Sequence, residues 1–234
     1  MIEPAPTPQG TAARAPLTGC VLCGGKSVRM GRDKALVELD GAPLVVRAQR
    51  ILQSVCERVL LASGSGQRYP ELGLQELGDP FPGAGPASGL LAALESARTP
   101  WVALLSCDQP RVRPATLLAL QRRAQSEDAE ACLLESEQGL EPTIAVYHVS
   151  LAGRVRAALE RGQRRLVAFH PDARIARLAA SEAHLDEALN VNTPEDLLRA
   201  EELERAEDLA NSAVPERATS PECAPAPRPG ALHE

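Results

Sequence analysis

Short apolar runs alternate with helix-spaced apolar residues along most of this chain. Residues 17–23 form the first unbroken apolar run and predict a strand. Leu44, Ala48, Ile51, Leu52 and Val55 then recur at helical steps, which predicts a helix over residues 43–56 with Pro43 in its first turn. Residues 58–62 read as the next strand. Leu90, Leu91, Leu94 and Ala97 mark a helix opened by Gly85-Pro86. Residues 101–106 are again continuously apolar, Pro114 begins a further helix, and residues 129–134 predict another strand. Thr143 to Tyr147 have β-branched character. Leu151, Val155, Ala158 and Leu159 form a helical stripe, and Leu197, Ala200, Leu203, Ala206 and Ala210 follow Pro194 at steps of three or four. Strand–helix alternation with unbroken apolar strands predicts an α/β fold of three layers. A mainly parallel, Rossmann-like sheet carries helices on both faces. Ligands of such sheets bind at the carboxyl ends of the strands.

Both ends of the chain break this pattern. Residues 1–16 hold four prolines and residues 213–234 hold five, without apolar periodicity. They read as disordered tails, 1–16 and 212–234, around one domain over residues 17–211. The 234 residues are 44% hydrophobic and 24% charged, so a globular core is expected. Only 2% are aromatic, which leaves Leu, Val and Ala to build that core and offers few rings to stack on nucleic-acid bases. The net charge of −6 is concentrated between Pro194 and Leu209, where seven acidic residues face two arginines. No basic stripe suggests nucleic acid. Neither a secretory leader nor a membrane span is evident, so a soluble cytoplasmic protein is expected. Its six cysteines then read as reduced thiols. Cys20 and Cys23 make a C-x-x-C without a second pair at zinc spacing, and one side of a buried strand is the expected place for them. His148, His170, His184 and His233 show no metal spacing. His148 beside Tyr147 reads as a solvated or packed histidine.

The loop after the first strand carries the clearest chemistry. Residues 24–34 contain Gly24, Gly25 and Gly31 together with Lys26, Arg29, Arg32 and Lys34. Glycines let the backbone approach a ligand and expose successive amides, and the cations complete a cradle for polyphosphate. The spacing matches neither the Walker A loop nor Gly-x-Gly-x-x-Gly.

The arrangement Leu22-x-Gly24-Gly25-x-x-x-Arg29-Met30-Gly31-x-Asp33-Lys34 resembles the signature of the nucleotidyltransferases that include molybdenum cofactor guanylyltransferase. Asp40-Gly41-Ala42-Pro43-Leu44, Gly85-Pro86-Ala87-Ser88-Gly89, Cys107-Asp108-Gln109-Pro110 and the closing Asn190-Val191-Asn192-Thr193-Pro194-Glu195-Asp196-Leu197 follow in that family's order, so the resemblance covers about residues 19–203. Cys23 stands where the family usually has Ala. Leu61-Ala62-Ser63-Gly64 stands where it commonly offers an Asn to the nucleotide.

The resemblance implies a sheet of the nucleotide-diphospho-sugar transferase type. It also implies an Mg2+-dependent transfer of GMP from GTP to molybdopterin, with release of pyrophosphate. Molybdoenzymes or their chaperones would then be further partners. Asp108 would hold the metal, with Asn192 as a second ligand; an Asx turn and a helix start are the ordinary alternatives for these two. Lys34 would bind the triphosphate and Arg29 the departing pyrophosphate. Leu22, Cys23, Gly24 and Gly25 would meet guanine and ribose through backbone groups, and Asp79 either contacts the nucleotide or turns the chain. Gly24-Gly25 favours GTP, because relatives that transfer CMP tend to have Ala at the first of these positions. A cytidylyl or sugar-phosphate transferase of the same fold is the alternative enzyme. A non-catalytic nucleotide-binding chaperone of the cofactor is the alternative from another class.

Overall fold

The computed structural model describes residues 16–24, 33–64, 67–169, 171, 173–181 and 189–212. The expected tails, 1–16 and 212–234, fall outside this set except for Pro16 and Ser212 at its limits. A seven-stranded sheet organises the chain. Strand β1 (Leu17–Leu22) lies between β4 (Arg58–Gly64) and β6 (Trp101–Ser106), both parallel to it. Beyond β4 lies β5 (Gln75–Gly78). Beyond β6 come β8 (Gly139–His148), β7 (Ala131–Ser136) and β9 (Ile175–Ala179), giving the order β5-β4-β1-β6-β8-β7-β9. Only β8 runs against the others. The mainly parallel sheet expected from the sequence is therefore present.

Alternation along the buried strands assigns side chains to two layers. Leu17 and Val21 of β1 face Val45 and Leu52 of α1 (Leu44–Val55) and Leu117 and Leu120 of α3 (Pro114–Ser126). Cys20 and Leu22 face Leu90 and Leu91 of α2 (Pro86–Ser96) and Val155 and Leu159 of α4 (Ala152–Glu160). The two cysteines of the C-x-x-C therefore lie on opposite faces of the sheet, and not on one side as expected: three residues apart is an odd step along a strand. No helix among the described residues is long and apolar enough to cross a membrane.

Three short elements go beyond those expected from the sequence: β5, β9 and a small hairpin, β2 (Glu38–Leu39) with β3 (Ala42–Pro43). Asp40 and Gly41 turn that hairpin with φ of 49° and 70°, the left-handed pair that a two-residue turn needs. Val37, Leu39 and Leu44 pack with Val191 and with Ala200 of α5 (Pro194–Ser212). This third, smaller cluster seats α5 beside α1. Arg47 pairs with Glu204, and Arg111 lies 2.6 Å from Glu207, so the acidic helix is also clamped by charge.

Candidate active site

The carboxyl ends of β5, β4, β1 and β6 border one cavity of about 820 Å3. Leu22 and Gly24 line it after β1, Ser63 and Gly64 after β4, Asp79 after β5, and Ser106 and Asp108 after β6. Gly85 and Pro86 bring the start of α2 to the same wall. Gly85 has φ 69° and ψ −149°, a conformation open only to glycine, so the sharp entry into α2 depends on it. Gly24 is needed for a different reason. A Cβ there would lie 3.3 Å from the Ser63 carbonyl and 3.4 Å from the Gly64 amide, so β1 and β4 approach closely at this point.

Three segments far apart in sequence converge on the floor of the site. The Lys34 ammonium donates to Asp108 Oδ2 at 2.6 Å and to Asn192 Oδ1 at 2.7 Å. Each contact is set up locally. Asp33 accepts from the Ala35 amide at 3.1 Å, capping a short 3-10 helix, Lys34–Leu36, and so fixes where Lys34 leaves the backbone. The Val191 amide donates to the Asp108 carbonyl at 2.8 Å, tying the segment that carries Asn192 to the loop after β6. Asp196 accepts from the Asn192 and Thr193 amides at 2.8 and 2.9 Å, while the Thr193 hydroxyl accepts from the Asp196 amide at 3.2 Å. This is a capping box at the start of α5. Burial opposes charge on Asp196, but those amides and the Thr193 hydroxyl, with the nearby Lys34 ammonium, hold its carboxyl below the usual range.

A second polar cluster ties β5 to the segment after β4 and to Asp33. Glu76 accepts from the Ser63 hydroxyl at 2.5 Å and from the Arg68 and Tyr69 amides, both at 2.8 Å. Burial works against its charge, yet these donors keep its carboxyl below the ordinary value. The Arg68 guanidinium donates to Asp33 at 2.7 Å, and the buried Tyr69 hydroxyl donates to the same oxygen at 2.9 Å. Asp79 is half-buried, and burial raises its carboxyl above the usual range against the pull of Ser88.

The structure thus brings Lys34, Asp108 and Asn192 together and puts Asp79 in the same cavity. Cys23 is buried, and its amide donates to the Ala62 carbonyl at 3.1 Å. The Leu22 carbonyl likewise accepts from Cys107 at 3.0 Å. Two of the backbone groups expected to meet the nucleotide are therefore engaged in the sheet, while Gly24 and the Leu22 side chain reach the cavity. Gly25 and Arg29 lie outside the described residues, as do His170, His184 and His233. His148 packs against Trp101, ring centroids 5.0 Å apart, at the end of β6 remote from Asp108; it belongs to the packing and not to the site. Arg68 was missed, although a cation inside the glycine-containing loop after a strand was visible in the sequence. Ser63 gives its hydroxyl to Glu76 and not to the cavity.

A divalent cation fits the floor chemically. No group of three or more His, Cys, Asp or Glu side chains gathers among the described residues, but Mg2+ takes few protein carboxylates. Asp108 Oδ1 is buried without a hydrogen-bond partner, and the oxygens of Asp108 and Asn192 already converge on a cation, the Lys34 ammonium.

Residues 19–175 match the model of the MobA-like NTP transferase domain. A probable molybdenum cofactor guanylyltransferase of Synechococcus elongatus is 36% identical over 183 residues, 75% of this chain and 93% of that protein. The molybdenum cofactor guanylyltransferase of Serratia proteamaculans is 37% identical over 186 residues, 78% of this chain and 93% of that one. Among solved structures, molybdopterin-guanine dinucleotide biosynthesis protein A of Archaeoglobus fulgidus superposes with a TM-score of 0.71 at 23% identity, covering 81% of this chain and 99% of that one. At that identity the likeness speaks for the fold alone.

Proposed function

This chain belongs to the MobA-like NTP transferase family, and from that premise we propose that it transfers GMP from GTP to the molybdopterin-bound molybdenum cofactor and releases pyrophosphate. The observation that carries the reading is the meeting of Lys34, Asp108 and Asn192 beside a glycine-walled cavity at the strand ends. In the reaction an oxygen of the acceptor's terminal phosphate bonds to the α-phosphorus of GTP, and the bond to the bridging oxygen of the β-phosphate breaks. No covalent enzyme intermediate is required. Two anions must meet, so neutralising and aligning them is the main catalytic task.

Lys34 meets that need. Its ammonium is held by oxygens at 2.6 and 2.7 Å, the kind of partner that phosphate oxygens replace when the nucleotide enters. Arg29, five residues before Lys34 in the sequence, would hold the departing pyrophosphate with its planar fork. Asp108, with Asn192 as second ligand, would hold Mg2+, which when bound supplies charge neutralisation to the phosphate oxygens. Asp79, on the β5 side of the cavity, offers acceptors to the donor edge of guanine, and Gly24 lets the ribose approach the backbone. The cytoplasm is the compartment that suits both substrates.

The test is to incubate the purified protein with molybdopterin, Mg2+ and GTP, CTP or ATP in turn, following pyrophosphate and the dinucleotide by mass. Turnover with GTP that stops on chelation is expected. Turnover with CTP alone refutes the guanylyl assignment, and tight GTP binding without turnover points to a non-catalytic cofactor carrier.

A further inference from the structure

We infer that Arg68 is a specificity-determining residue that reads the O6 and N7 acceptors of guanine. The inference rests on the guanylyl-transfer reading and deepens it.

Arg68 is not a free surface cation. Its guanidinium is fixed by Asp33 at 2.7 Å and by the Ser63 carbonyl at 3.4 Å, and it lies over the Tyr69 ring, 5.3 Å from the centroid. Its backbone amide is held in turn by Glu76 at 2.8 Å. The side chain keeps 30% of its surface exposed and lines the cavity; among the described lining residues it is the sole cation. Arg carries five N–H donors in a fixed fork, and the two contacts named here leave others for a ligand.

Its place along the sheet decides which part of the nucleotide it meets. Arg68 follows β4 and lies on the cavity wall with Asp79, which follows β5; Asp108 follows β6, two strands from β4. Neighbouring strands are about 4.8 Å apart, so the ends of β4 and β6 are separated by roughly 10 Å. A nucleotide whose α-phosphate sits at Lys34 and Asp108 therefore extends its base toward β4 and β5. Of the other lining residues from the β4 end, Ala62 has no polar side-chain atom, the Ser63 hydroxyl is turned to Glu76, and Gly64 has no side chain. Guanine carries donors at N1 and N2 and acceptors at O6 and N7. A carboxylate and a guanidinium on one wall match those two edges, and the fork of Arg to O6 and N7 is a recurrent guanine contact. Adenine presents an amino donor where guanine has O6, and cytosine has no N7 edge.

The experiment compares GTP with 7-deaza-GTP, which lacks the N7 acceptor, by calorimetry and by turnover with molybdopterin. In the wild-type protein the analogue is expected to bind about tenfold more weakly. In Arg68→Ala and in Arg68→Met, which keeps an extended side chain but has no donor, the two nucleotides are expected to bind alike. Because each protein serves as its own reference, a general loss of affinity in a variant does not disturb the comparison. Should Arg68→Ala fail to fold, Arg68→Met and the wild type decide. A wild type indifferent to N7, or an unchanged ratio in the variants, overturns the assignment of Arg68 while leaving guanylyl transfer intact. Equal losses for both nucleotides in the variants move the guanidinium to the phosphates and also overturn it. A wild type that binds CTP but not GTP refutes the functional reading itself.

Discussion

Replacing Lys34 by Ala separates a stability effect from a catalytic one. In the resting structure the ammonium lies 2.6 Å from Asp108, and the two side chains are 16% and 21% exposed. At an effective dielectric of about 20 the attraction across that distance is about 6 kcal/mol. Dehydrating both groups offsets most of it, and partly exposed pairs fall between the ~0–1 kcal/mol of surface bridges and the ~3–5 kcal/mol lost when a buried pair is broken. A net loss of about 1–3 kcal/mol is expected, and each kcal/mol lowers the melting temperature of a domain this size by about 2–4 °C. The protein should therefore remain folded at 25 °C. Turnover is expected to suffer more, because removing one preorganised donor to developing charge costs about 10²–10³ in rate. The assay is pyrophosphate release under saturating GTP, alongside thermal melting of the same sample. A folded Lys34→Ala protein with kcat within threefold of wild type would refute the role given to the ammonium.

Three further outcomes follow from the same geometry. Asp196 and Glu76 both have carboxyl groups held below the ordinary range, so the stability they add is complete above the unfolded values of about 3.9 and 4.3 and is lost as pH falls through their folded values; melting temperature should drop steeply below about pH 4, and less steeply in Asp196→Asn, whereas equal slopes would exclude Asp196 as a source. Burial pushes the thiols of Cys20 and Cys107 up to about 12 and that of Cys23 higher still, so neutral-pH alkylation should spare all three until the protein unfolds; labelling of Cys107 in the native state would contradict the packing. Gly24→Ala places a methyl group 3.3 Å from the Ser63 carbonyl, and relieving that contact is expected to cost about 1 kcal/mol, or about fivefold in KM for GTP; an unchanged KM would show that the β4 wall yields freely.

The long buried strands and α1 were legible because each carries a complete period of apolar residues. The short elements were not. β5 buries only Leu77 among its four residues, too little for alternation to show. β9 lies at the sheet edge with Arg177 exposed in its middle, so its five residues read as neither strand nor helix. The β2–β3 hairpin had a clear signal in Asp40-Gly41, hidden because Pro43 beside it also opens a helix. For the site, motif order in the sequence located Lys34, Asp108 and Asn192, but nothing local in the chain shows that their side chains touch. Those contacts join residues 74 and 158 positions apart, a consequence of parallel topology and not of spacing. Arg68 was missed for the same reason: its meaning depends on Asp33, 35 residues earlier.

These long-range contacts form a continuous polar belt across the strand ends. Glu76 holds the backbone of Arg68 and Tyr69; their side chains hold Asp33; Asp33 caps the turn that aims Lys34; and Lys34 reaches Asp108 and Asn192, whose amide Asp196 fixes. Half-buried carboxylates are costly unless answered by donors. Glu76, Asp33 and Asp196 each accept two or more hydrogen bonds, so the belt is stable as it stands. Asp108 differs. Lys34 answers one of its oxygens, while the other is buried with no partner, an omission worth about 1–3 kcal/mol. The neighbouring Gln109 amide is likewise buried without a partner, so the polar groups just after β6 are the part of the network open to an added ion or water. The deficit falls on the carboxylate proposed to hold Mg2+, and among the carboxylates of the belt it is the one with an oxygen left open to a cation.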